Sequence, residues 1–171
     1  RSMSRSPTEG RYVKRSAITE APTATNWSTS AMLTRKNASP NPIAGRTLQH
    51  ADWAPLWELL EAEGVPLCVH EGTTQEVPQS GRDRFADFAL RHVASHPHEQ
   101  QLACLGLVMG GVLERHPGLR VVFLESGCGW LPSWLERMDD HAHSWGWAMP
   151  KLPLTPSEYF ARQCFISCDP G

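Results

Sequence analysis

Three apolar runs in this sequence share one plan. VPLCVHEG (65–72), LRVVFLESG (119–127) and CFISCDPG (164–171) each reach an ionisable side chain, His70, Glu125 and Asp169, and then a glycine within two residues. Runs rich in β-branched and other apolar residues belong to short strands buried on both faces. A polar side chain at the end of such a strand stands where parallel α/β folds place their chemistry. The stretch around Glu125 is the clearest: Val121 to Leu124 is wholly apolar, two glycines follow, and Trp130, Trp134 and Leu135 then recur at helical spacing.

The segments between these runs read as helices. Trp53, Leu56, Trp57, Leu59 and Leu60 form a stripe that Gly64 ends, with Asp52 as N-cap or first-turn acid and Pro55 in the first turn. A loop with Pro78 and Gly81 leads to a helix over 83–95, with Phe85, Phe88, Ala89 and His92 on one face. His96-Pro97-His98-Glu99 marks a boundary, because proline suits a helix's first turn. The next helix runs to about Arg115, with Leu102, Leu105, Val108, Met109 and Val112 inward. Gly110 and Gly111 each cost about 1 kcal/mol there against alanine, so they signal close packing or a break. Leu131 to Trp145 is amphipathic, and a short helix covers Ser157 to Arg162. Strands separated by helices form parallel βα units. Three strands, or four with a short one around Ala31 to Thr34, are too few for a closed (β/α)8 barrel of about 250 residues. The fold class is therefore α/β: part of such a barrel, or a small open sheet.

The chain of 171 residues carries a net charge of −2, which offers no polyanion-binding surface. No apolar run approaches the roughly 20 residues that span a membrane, and no signal-peptide pattern opens the sequence. The five cysteines show no CxxC spacing, which suits free thiols in a reducing cytoplasm. Residues 1–39 are rich in Ser, Thr, Arg and Ala and read as a poorly ordered segment ahead of a domain over 40–171.

Several side chains are candidates for chemistry. His70 is either a metal ligand or a satisfied buried histidine, and a metal site needs three protein ligands with an open position. Glu125 is either a general acid/base or the partner of an arginine, with Arg46 and Arg137 available. His96 and His98 fit a helix start, with His96 alternatively lining a pocket. Trp130 and Trp134 suit core or pocket wall.

PNPIAGRTL, PLCVHEG, HPHEQ, GVLERHPGLRVVFLESGCGWLPSWLERMDDH and QCFISCDP, in this order, resemble the amidohydrolase-related superfamily of metal-dependent TIM-barrel enzymes. The branch is the one related to aminocarboxymuconate semialdehyde decarboxylase. The resemblance begins near Pro40, and Ser39 stands where that family carries arginine. It implies a partial TIM barrel and a divalent metal, usually zinc. Its ligands would be a His-x-His on the first strand, a middle-strand histidine and a last-strand aspartate. His70 matches the middle-strand histidine. The other ligands have no match, and Asp169 does not correspond to the aspartate. Glu125 falls where the decarboxylase branch carries a catalytic histidine, and His96, Arg46 and Trp130 are the candidate substrate contacts. The expectation is an internal fragment of a metal-dependent hydrolase or non-oxidative decarboxylase of small carboxylated or cyclic substrates. The alternative is an inactive fragment or interaction module. Neither nucleic acid nor membrane is an expected partner; self-association through exposed strand edges is.

Overall fold

The computed structural model describes residues 31–33, 46–70 and 79–168. Four short strands make one sheet: β1 (Ala31–Leu33), β2 (Leu67–His70), β3 (Val121–Leu124) and β4 (Cys164–Ile166). All neighbours are parallel and stand in chain order, β1-β2-β3-β4. A parallel sheet wound in one direction, with no reversal of strand order, is the arrangement of a barrel and not of a doubly wound sheet with a switch point. β1 lies in the stretch before residue 40, where the sequence allowed one short strand.

Five helices accompany the sheet: α1 (Ala54–Ala62), α2 (Phe88–Val108), α3 (Val112–Arg115), α4 (Leu131–Trp145) and α5 (Pro156–Gln163). Register places Leu67 beside Val121 and Val69 beside Phe123. These four are fully buried and pack into one core with Trp57, Leu60, Leu107, Leu113, Met138, Tyr159 and Phe160. Cys68 and Val122 pair on the opposite face and are also buried, outside that core. Side chains alternate along a strand, so His70 shares the face of Cys68.

The helix boundary at Pro97 is overturned. α2 runs through it as one helix of 21 residues. Pro97 cannot donate to the carbonyl of Val93, which removes one helical bond. The inward stripe of Ser95, His96, Glu99, Gln100, Ala103, Cys104 and Leu107 is buried on both sides of the proline and outweighs that loss. The helix also starts later than the sequence suggests: Phe85 lies in turns ahead of it, and Phe88 is exposed. Leu59 and Leu102, expected inward, face solvent. Asp52 sits in the first turn of a single 3-10 turn (Ala51–Trp53), whose N-cap is His50. At Gly110 and Gly111 both expected causes operate. Gly111 has φ +75°, breaking α2 from α3. A Cβ at Gly110 would strike the carbonyl oxygen of Gly106 and lie 2.5 Å from the Cβ of Gln49.

Two polar contacts fasten the amino-terminal end of β3. Glu61 of α1 accepts from the Gly118 amide at 2.5 Å and meets His116 at 3.2 Å. Gln163, fully buried at the end of α5, donates to the carbonyls of His116 (2.9 Å) and Leu119 (3.2 Å).

Candidate active site

The opposite, carboxyl-terminal end of the sheet gathers the polar tips. His70 closes β2, and Glu125 follows β3 directly. Strict alternation would put Glu125 on the face of Phe123, away from His70. Glu125 instead adopts φ +55°, the left-handed region, the one such non-glycine among the described residues. That turn swings its carboxylate across the strand tips, and Oε2 lies 2.8 Å from His70 Nε2. Its amide donates to Ser167 Oγ at 3.1 Å, and the Ser167 amide donates to the Phe123 carbonyl at 2.9 Å. The chain after β4 thus holds the left-handed residue in place. His70 is three-quarters buried, whereas Glu125 stands largely in solvent.

Among the described residues the Glu125 carboxylate meets His70 and no arginine. Arg46 pairs with Asp52 at 3.3 Å, both exposed.

His96 is buried on α2, its ring 6.5 Å from that of His70 in an edge-on arrangement. His92, one turn earlier, stacks on His96 at 4.0 Å. The structure therefore places His96 mid-helix beside the strand tips and not at a helix start. Trp130 lies in the turn after Glu125, where its indole donates to Ser126 Oγ at 3.3 Å and meets Phe123 edge-on at 6.3 Å. Asp169 lies outside the described residues.

Sequence reasoning missed four contributors. Glu99 is buried and accepts at 2.6 Å from both the amide and the hydroxyl of Ser80, fixing the loop that leads into α2. Gln100 donates to the carbonyls of Val69 and Leu124, and Ser167 supports Glu125. Glu99 and Gln100 carried a usable signal: two polar residues on the same helical stripe as Ala103, Cys104 and Leu107. Ser80 and Ser167 carried none, since isolated serines next to loops are ordinary.

Burial pushes the thiols of Cys104 and Cys164 well up from the usual range, so neither is a nucleophile. A cavity of about 410 Å³ lies between α4 and the segment before α5, lined in part by Asp139, His143, Lys151 and Glu158. It includes none of the predicted site residues.

The one-way parallel sheet and the polar tips at its carboxyl end find their match in a known family. Residues 37–169 fit the sequence profile of the amidohydrolases. The chain belongs to the amidohydrolase family. A curated relative, 2-amino-3-carboxymuconate-6-semialdehyde decarboxylase of Dictyostelium discoideum, is 28% identical over 125 residues, covering 70% of this chain and 32% of that protein. Among solved structures, an amidohydrolase from Mycobacterium avium subsp. paratuberculosis superposes with TM-score 0.63 at 22% identity, over 76% of this chain and 34% of its own. The 5-carboxyvanillate decarboxylase of Sphingomonas paucimobilis gives TM-score 0.55 at 29% identity, over 69% and 35%. This amidohydrolase chain thus spans about a third of the length of the relatives it matches, and its sheet is part of a (β/α)8 barrel.

Divalent metal is a feature of the family. The described residues of this amidohydrolase do not fit such an ion by themselves. Among them no three His, Cys, Asp or Glu side chains converge. His70 Nε2 already faces a carboxylate, and one histidine with one carboxylate falls short of the three protein ligands of a catalytic site.

Proposed function

We propose that this chain supplies the middle of the active centre of a metal-dependent hydrolase or non-oxidative decarboxylase acting on small carboxylated or cyclic substrates. The His70–Glu125 contact of 2.8 Å at the carboxyl end of adjacent parallel strands carries this reading. Decarboxylation replaces a C–CO2⁻ bond by C–H and needs one proton delivered to carbon. Hydrolysis takes a proton from water and gives one to the leaving group. A histidine and a carboxylate in hydrogen-bond contact serve either need. His96 and Trp130 border these tips and are the substrate wall in this reading. Arg46, held by Asp52, is left out of it. A divalent ion, with zinc as our assignment, requires ligands beyond the described residues, and no step is assigned to it. Five cysteines without CxxC spacing suit a reducing cytoplasm. Among the described residues no helix is long and apolar enough to cross a membrane.

The full chain, loaded with Zn²⁺ or Mn²⁺, is to be offered a panel of hydroxylated and aminated aryl carboxylates and cyclic amides. Loss of the substrate ultraviolet band, with CO2 release, reads the reaction. The expected result is metal-dependent turnover that falls at least ~100-fold in Glu125→Gln and in His70→Ala. A folded chain that retains no metal and converts no substrate overturns the proposal. It would leave the second reading, a catalytically silent α/β fragment.

A further inference from the structure

We propose that Gln100 of α2 is the positioning residue for the His70–Glu125 pair. Its side-chain nitrogen donates to the Val69 carbonyl at 3.1 Å and to the Leu124 carbonyl at 3.4 Å. Those oxygens belong to the peptide units that lead into His70 and into Glu125. The β2–β3 ladder ends at the pairing of His70 with Leu124. The amide of Gln100 bridges the two strands at that end.

The choice of side chain follows from donor chemistry. Two carbonyls need two donors from one atom, and among uncharged side chains a carboxamide nitrogen supplies them. A hydroxyl offers one, and a carboxylate would set oxygen against oxygen. The other half of the amide confirms the orientation. Oε1 is buried and receives no hydrogen bond from the described residues. Turning the amide around would oppose it to both carbonyls. An unpaired buried acceptor is costly, and methionine, of similar length, would avoid that cost. The bridge is what the amide adds. Gln163 is the same device at the other end of β3, also buried and bridging two carbonyls, far from the strand tips. It separates positioning from general stapling of helix to sheet. The catalytic meaning of Gln100 rests on the proposed function; the geometry it sets does not.

The test is a double-mutant cycle, His70→Ala against Glu125→Ala, read by urea unfolding in three backgrounds: parent, Gln100→Met and Gln163→Met. The expected result is a coupling in the parent that drops to less than half in Gln100→Met and persists in Gln163→Met, although both variants lose stability. Unchanged coupling in Gln100→Met overturns the proposal. So does an equal drop in both backgrounds, or no coupling in the parent. Gln100→Leu, which loses both donors, serves where Gln100→Met does not fold. The cycle reads unfolding alone, so absence of turnover and absence of coupling are separate results.

Discussion

Glu125 is a residue whose identity the sequence shows and whose direction it hides. The apolar run ahead of it marks a strand tip correctly, and His70 reads the same way. Period-two alternation then aims the two at opposite faces. Only the left-handed backbone at Glu125 brings them into contact. Nothing local predicts it, because glutamate resists that region and the support comes from Ser167, 42 residues later. A non-glycine residue held at positive φ costs on the order of 1 kcal/mol relative to glycine. Glu125→Gly is therefore expected to be more stable than Glu125→Ala by about 1 kcal/mol, while both lose the contact with His70. Thermal unfolding of the two variants checks this. Equal stabilities would show that the backbone relaxes out of the left-handed region once the carboxylate is gone.

At the scale of elements, α4 was legible from Leu131 to Trp145 because its amphipathic stripe is uninterrupted. The three later strands were legible because they are short and apolar up to their polar tips. α2 was not, because local rules stop a helix at His96-Pro97 whereas burial of Ser95, His96, Glu99 and Gln100 against the sheet continues it. Tertiary contact overrode local preference there. In α5 local chemistry prevailed. Thr155 Oγ1 accepts from the Glu158 amide at 3.3 Å, and the Glu158 carboxylate accepts from the Thr155 amide at 2.8 Å, a reciprocal capping box. Hydrogen bonds from the backbone and then the hydroxyl of Thr155 lower the Glu158 pKa from its ordinary 4.5. The folded chain thus binds that proton more weakly than the unfolded one. The stabilisation is full above pH 4.5 and is lost as pH falls through the lowered value. Thr155→Ala is expected to cost about 1 kcal/mol at pH 7. The gap to the parent should narrow at pH 3 and not close, since the hydroxyl still accepts from the Glu158 amide when the acid is neutral. Urea unfolding at the two pH values measures it. A gap independent of pH would show that the hydroxyl adds nothing to the hold on the carboxylate, since the backbone amide of residue 155 still donates to it in the variant.

The whole molecule shows why half a site was visible. The matched stretch of this chain covers about a third of its relatives' length, and a barrel distributes its site over the ends of many strands. The four described strands present His70 and Glu125, and among the described residues no three donors converge. The same fraction has a mechanical consequence. Among the described residues β1 and β4 each pair with one neighbour only. Phe165 on β4 is 42% exposed, and Trp147 and Val93 stand further out still, at 84% and 73%. A closed barrel has no free edge; an open one offers unpaired backbone donors and acceptors to any strand that reaches it. We therefore expect the chain to self-associate, with a weight-average mass by light scattering that climbs with concentration. Phe165→Lys places a charge on the β4 edge, where lysine opposes strand addition, and is expected to lower that climb without unfolding the chain, since the side chain is already part-solvated. A monomer at every concentration, or a Phe165→Lys variant that associates as the parent does, would show that the β4 edge is not the contact.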